Sequence, residues 1–510
     1  MDQKHDKINL FIIFILTLCI RLIIYFNTGI IAQDGALQYI PVAKLFASGA
    51  LEEALHQLQT PLYPFIIGLL SKIGLSMELA GRLISLVLST LTIFPLYFLG
   101  KKLFKSADVS FLAGFFYAIH PYFARLSVDV LKEATYIFFL VTAFFLFWEA
   151  LSRKKVWLYL LVGIFVGFSY LTRADGIEIL VLMLLWILFQ DIGEFKNSYQ
   201  RRLISLVCLS IFSFSLVIPY AWHIKQTTGE WNLSKKKNIE ILIGQKNVGN
   251  EDDAKVTPTI RRHYQGSLLF FSKLSSCFHP LMLILLFFGL IKRKVIPYQK
   301  KAEIYLASFF ILHLGLLYCL AVNYSCFQNS QIVWYSLSSR HFMPLVVISF
   351  FWISMGVYEI RERIYGWMVL RGKNNFSQNL SRTILIFILA VITLSLLPKT
   401  LKPQRMDKLG RKIAGIWIEK HTNKKNPGIM TDMPRVAYYG RGKIINPGTF
   451  LDIVKDTNGR KVDYVVVNNR YIKQWPPDFI KSCQESDFLN MVFKYQEKKG
   501  DKIIVYEVIG

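Results

Sequence analysis

Acidic side chains are scarce in this chain: 34 Asp and Glu stand against 60 Lys and Arg in 510 residues. Charge of both signs is thin at 18%, while 53% of residues are hydrophobic and 15% aromatic. A soluble chain of this length would carry more charge and fewer long apolar runs, which excludes that class. Cysteine is sparse too. The six, Cys19, Cys208, Cys277, Cys319, Cys326 and Cys483, are scattered and contain no C-x-x-C pair. Neither a zinc ribbon nor a disulfide framework is indicated. The two halves share no matched motifs, which counts against a transporter built from inverted repeats. No small-residue cleavage site follows the first apolar run, so that run reads as a retained span.

What the chain does have is apolar length. A helix needs about 20 apolar residues to cross a core of roughly 30 Å. Candidate spans lie at 8–26, 79–100, 109–124, 134–151, 156–171, 177–189, 203–222, 267–291, 302–322, 342–360 and 383–397, eleven in all. The formal charge of +26 can mark a nucleic-acid partner. Here cytoplasmic loops account for it better, and no nucleic acid is expected. With the N-terminus in the cytoplasm, the short basic clusters Lys101-Lys102-Leu103-Phe104-Lys105, Arg153-Lys154-Lys155, Arg201-Arg202 and Lys292-Arg293-Lys294 fall on that side, together with 361–371. The segment 223–264 is the exception, an external loop holding Lys235-Lys236-Lys237 and Arg261-Arg262 beside Glu251-Asp252-Asp253. Arg21, toward the outer end of the first span, is expected to snorkel to the interface. The stretch 61–75 reaches only about 22 Å as a helix, so it reads as a re-entrant or interfacial helix.

Composition changes after residue 397. Strand-like runs at 428–431, 463–467, 488–495 and 502–508 alternate with helix-like stretches at 405–421 and 450–455. The last two runs suit a hairpin, and Gly440-Arg441-Gly442 reads as an ordinary turn. The organisation expected is a membrane domain over 1–398 and a small extracytoplasmic α/β domain over 402–510.

The chemistry-bearing residues cluster at the ends of the spans. Gln33-Asp34-Gly35-Ala36-Leu37-Gln38-Tyr39 follows the first span and leads through an amphipathic stretch to Thr60-Pro61-Leu62-Tyr63-Pro64. Gly81-Arg82-Leu83 opens the second span. His120-Pro121-Tyr122, Ser127 and Val130-Leu131-Lys132-Glu133 lie between the third and fourth. Tyr170-Leu171-Thr172-Arg173-Ala174-Asp175-Gly176 turns the fifth into the sixth. Ile218-Pro219-Tyr220 with Gly229 leaves the seventh, and Ser339-Arg340-His341-Phe342-Met343-Pro344 precedes the tenth. Taken in this order, the set resembles the polyprenyl-phosphate-dependent glycosyltransferases of the GT-C class, the protein O-mannosyltransferase and lipid A aminoarabinose transferase group. The resemblance covers most of the first 345 residues. Two positions depart from that group: Gln33-Asp34 stands where many relatives have Asp-Glu, and Ala174-Asp175 stands where they have Pro-Glu.

The resemblance implies a mainly α-helical GT-C-like bundle of about eleven membrane helices, with interfacial helices in the first external loop. It implies Asp34 as the catalytic acid, and Arg82, Arg173 and Arg340 as contacts to the donor phosphate. Tyr63, Lys132, Glu133, Asp175 and His341 are further candidates for substrate binding. One acid suffices, because a sugar on polyprenyl phosphate already has a good leaving group. A general base then takes the acceptor proton, and cations stabilise the departing phosphate. The lipid-linked sugar is a substrate, so no cofactor is implied, and no metal-ligand cluster is visible. The acceptor is a lipid, glycan or protein. The expected location is a bacterial inner or plasma membrane, crossed many times. Blander readings compete: an N-cap for Asp34, lipid anchors for the arginines and an interface aromatic for Tyr63. The alternative function is a polytopic transporter or a flippase for lipid-linked saccharides.

Overall fold

The structure is a computed structural model. It describes residues 2–153, 155–189, 199–235, 259–291, 300–323, 325–328, 331–334, 337–370, 378–445, 462–469, 489–497 and 500–509. The expected helix at 450–455 and the acids at 251–253 lie outside these residues. The chain divides into two compact units, one made of Met1–Ile23 and Val42–Lys402, the other of Ile24–Pro41 and Pro403–Gly510.

The first unit is helical. Among the described residues, seven helices are long and apolar enough to cross a membrane: His5–Phe26, Met77–Phe104, Glu133–Arg153, Tyr199–Thr228, Lys301–Val322, Ser339–Met368 and Asn379–Leu401. The protein is therefore a multi-pass integral membrane protein. An eighth is reached if the bent pair His263–Phe278 and Pro280–Ile291 counts as one span. Leu62–Lys72, Ala107–Ile119 and Trp157–Thr172 are shorter apolar helices.

The breaks have local causes. Ser76 and Ser106 cap the helices after them, their hydroxyls accepting from Leu79 N and Val109 N at 3.3 Å. The run 109–124, expected as one span, stops at Ile119. His120 is extended and accepts from Tyr122 N, and Pro121 opens the next helix, Pro121–Leu126. The run 267–291 is likewise divided, by a bend of 91°. His279 there sits at φ 68°, and Pro280 has no N–H to continue the ladder.

Arg21 differs from expectation. It is fully buried, with Nε donating to Ser89 Oγ at 3.2 Å and Nη1 facing the Thr17 and Ala118 carbonyls at 3.4 Å. Its guanidinium lies 4.9 Å from the Tyr117 ring centroid. A buried cation must find such partners, and these are on three helices, so Arg21 joins the bundle instead of reaching outward. Two basic clusters are also paired: Lys101 with Asp6, and Lys102 and Arg153 with Glu149.

In the second unit, five strands pair in the order Lys443–Ile445, Gly428–Met430, Tyr464–Asn468, Lys502–Val508, Leu489–Gln496. The first three are parallel and the last two antiparallel to their neighbours. Tyr464–Asn468 is central and buried throughout, as a near-continuous apolar run requires. Val466 and Val505 face a layer holding Ile418, Val436 and Ala437, from the helices Leu409–His421 and Pro434–Tyr439. Val465 and Val467 face the other way, against Met430 and Leu489.

The helices Pro280–Ile291 and Met343–Leu370 approach through Gly289 and Gly356. A Cβ on Gly356 would overlap the Leu285 carbonyl, and one on Gly289 the Trp352 carbonyl. Small residues of this kind let membrane helices touch through their backbones. Gly356→Ala should therefore lower stability by about 1–3 kcal/mol in thermal melts of detergent-solubilised protein. Gly315→Ala, with nothing within 4 Å of the added carbon, should not. Equal melting of the two variants would contradict this packing.

Candidate functional site

Within the first unit, the start of the helix Glu133–Arg153 gathers polar groups from three other places. The first is the turn Ala174–Gly176 between Trp157–Thr172 and Ile177–Phe189. Gly176 closes against the Ser169 and Tyr170 backbone, where no side chain would fit. That tight turn presents Arg173 and Asp175, which form an ion pair. Arg173 is 5% exposed, and its guanidinium lies 5.0 Å from the Tyr136 ring centroid.

The second is the turn Ser339–Phe342, which opens the helix Met343–Leu370. Ser338 and His341 cap it reciprocally: the Ser338 hydroxyl accepts from Arg340 N, and His341 Nδ1 accepts from Ser338 N at 3.2 Å. Arg340 Nε then stands 3.4 Å from the buried Glu133 carboxylate. Glu133 and Tyr136 are three residues apart on one helix face, so Arg173 and Arg340 are drawn to the same place.

The third is Thr60. It accepts from Lys132 Nζ at 3.2 Å, and its hydroxyl donates to the Thr172 carbonyl. Arg82 Nε donates to the Val128 carbonyl at 3.1 Å, at the turn that precedes Lys132. The structure thus brings together Lys132, Glu133, Arg173, Asp175, Arg340 and His341. Tyr63 has a packing role: it is fully buried, its hydroxyl 3.1 Å from both the Gly81 carbonyl and Ser85 Oγ.

Two residues of this cluster were missed in the sequence. Glu178 Oε2 is 2.6 Å from His313 Nδ1, and His313 Nε2 is 3.1 Å from the His341 carbonyl. Both ring nitrogens face oxygen acceptors, so the pair holds a proton for each contact, either on the ring or on the carboxyl. This link ties the Arg173 turn to the Arg340 turn through the helix Lys300–Asn323. The sequence signal was a lone Glu and a lone His in otherwise apolar runs, a pattern that marks function in membrane segments.

Asp34 belongs to the second unit. It is half-buried at the start of a π-helical turn, Gly35–Tyr39, and its side chain makes no cap hydrogen bond. The N-cap reading therefore has no support in the structure. π-Helical turns are rare and often occur at functional sites. Among the described residues, no group of three or more His, Cys, Asp or Glu could hold a metal ion.

Residues 58–218 match the model of a family described as dolichyl-phosphate-mannose-protein mannosyltransferase. That stretch contains Lys132, Glu133, Arg173 and Asp175 but not Asp34 or Arg340. Nearly the whole chain is similar in fold to solved structures. The oligosaccharyltransferase of Archaeoglobus fulgidus superposes with a TM-score of 0.55 at 13% identity, covering 100% of this chain and 75% of that one. ArnT of Cupriavidus metallidurans, bound to undecaprenyl phosphate, does so with a TM-score of 0.55 at 11% identity, covering 96% of this chain and 97% of that one. The chain has the GT-C glycosyltransferase fold. No curated protein matches this chain by sequence.

In the cluster, the three cations Lys132, Arg173 and Arg340 stand against the two acids Glu133 and Asp175, and Asp175 is held ionised. Burial works against the charge of Asp175, but Arg173, with His341 and His313, outweighs it and keeps the carboxyl below the usual carboxylate range. A depressed pKa contributes stability above the unfolded value of about 3.9 and loses it as pH falls through the folded value. Asp175→Asn should therefore lower the melting temperature by the same amount across pH 5–8, with the gap to wild type closing only below about pH 4. A gap that varies between pH 5 and 8 would contradict the pairing.

Proposed function

We propose that the chain transfers a sugar from a polyprenyl-phosphate carrier to an acceptor at the outer face of the membrane. The observation that carries this reading is the convergence of Arg173, Arg340 and Lys132 on the first turn of the Glu133 helix. Guanidinium groups suit phosphate because they offer paired donors in a fixed plane. The likeness to ArnT, solved with undecaprenyl phosphate, and to the archaeal oligosaccharyltransferase, solved with an inhibitory peptide and a dolichol-phosphate, supports the same donor class.

In the reaction, an acceptor hydroxyl or amine attacks the anomeric carbon. Its new bond forms as the bond from that carbon to the phosphate oxygen breaks. The acceptor proton passes to Asp34. The electron pair leaves on the carrier phosphate, whose charge rises as it departs. The surplus of cations in the cluster favours that increase. A single displacement of this kind inverts the anomeric centre. The group transferred is a hexosyl or pentosyl unit, and the acceptor is a lipid, glycan or protein.

Asp34→Asn keeps the size of the side chain and removes the base. Turnover per folded molecule should fall by ~10²–10⁴-fold with donor affinity intact. Arg173→Ala and Arg340→Ala should instead weaken donor binding, and Lys in their place should restore it only in part. Measuring turnover and donor affinity side by side separates the two roles. Near-normal turnover in Asp34→Asn would remove the base assignment and move it to another acid, Glu133 or Asp175. Unchanged donor affinity in both arginine variants would leave these residues a structural role in pairing the buried acids.

A further inference from the structure

The loop that carries Asp34 is built into the C-terminal α/β unit, and the contacts are specific. Gln404 N donates to the Asn27 carbonyl at 3.0 Å, and Gly29 N donates to the Gln404 carbonyl at 3.1 Å. Thr28 and Gln404 form a parallel bridge between them. Arg405 Nε donates to the Ile30 carbonyl at 2.8 Å. Met406 lies over Gly29, where an added Cβ would come within 2.8 Å of its sulfur. Further along, the helix Pro434–Tyr439 lies against the π-helical turn Gly35–Tyr39, which begins next to Asp34.

Arg405 holds an uncommon backbone state, with φ 52° in the left-handed region. A non-glycine residue stays there only where its surroundings fix it. Here the surroundings are the Gln404 bridge on one side and the start of the turn Met406–Lys408 on the other. The strain points the guanidinium back at Ile30, four residues before Asp34. Nothing in this clamp is needed to complete the sheet, whose strands begin at Gly428. Both halves of the clamp also lie outside the family match at 58–218.

We propose that Arg405 is a positioning residue for Asp34. Together with the Gln404 bridge it seats the acid-bearing loop on the C-terminal unit, so that unit sets where the base is aimed. This rests on the reading of Asp34 as the base. In this role Arg405 acts on the loop that carries Asp34, through the Ile30 carbonyl.

Five variants of the full chain test this: Arg405→Ala, Arg405→Lys, Asp34→Asn, the double variant Asp34→Asn with Arg405→Ala, and Gly29→Ala. Arg405→Ala should lower kcat about 10–100-fold, the cost of a misplaced catalytic group, with the donor dissociation constant unchanged. Arg405→Lys should recover part of the loss. On the Asp34→Asn background, Arg405→Ala should add nothing, because both changes remove the same contribution. Gly29→Ala, whose added carbon presses on the flexible Met406 side chain from the other side of the clamp, should lower kcat in the same direction by a smaller factor and guards against misfolding of the arginine variants.

Wild-type kcat in both Arg405→Ala and Gly29→Ala would overturn the proposal. So would a fully additive loss in the double variant, or a loss of donor affinity that matches the loss of kcat. A failure of the base reading is seen separately, as an active Asp34→Asn.

Discussion

The Arg173–Asp175 ion pair is the interaction on which the rest of the membrane unit's polar cluster depends. A cation as buried as Arg173 costs several kcal/mol unless it is paired and hydrogen-bonded. Asp175 meets that requirement from two residues away, and the tight turn at Gly176 makes the short separation possible. Tyr136 covers the guanidinium and fixes which helix it faces. From there the other charges follow by the same rule. Glu133, on the same helix face as Tyr136, draws in Arg340, and Glu178 draws in His313, which holds the Arg340 turn by its backbone. The partners come from helix ends and, for His313, from the middle of Lys300–Asn323, so the need to pair buried charge assembles the cluster.

The acid assigned to catalysis is mounted differently. Asp34 sits in the unit built around the C-terminal sheet, where main-chain bonds from Gln404 and one guanidinium hold its loop. Backbone bonds to a rigid unit fix a loop better than side-chain contacts to mobile partners. In the proposed reaction, the C-terminal region thus serves to hold the loop of the base.

The helices were legible because a membrane demands long apolar runs, and such runs are hard to mistake. The sheet strands at 463–467 and 502–508 were legible from their β-branched content. What the sequence hid were interruptions and single residues. Pro121 and Pro280 were visible, yet the apolar runs around them are long enough to mask a break, and only the backbone at His120 and His279 reveals it. Arg21 read as an interface residue because its partners, Ser89 and Ala118, are 68 and 97 positions away. Glu178 and His313 were overlooked for the same reason, being 135 positions apart. The helix Pro434–Tyr439 was too short to show a period. Arg173, Asp175, Lys132, Glu133, Arg340 and His341 were legible because a GT-C-like pattern placed them at span ends, though not which of them would touch.

The most direct test of the account is a structure of the protein with bound polyprenyl phosphate. The account predicts phosphate density with its oxygens within hydrogen-bond distance, about 3 Å, of nitrogen atoms on at least two of Arg173, Arg340 and Lys132. Phosphate density that avoids all three would contradict it.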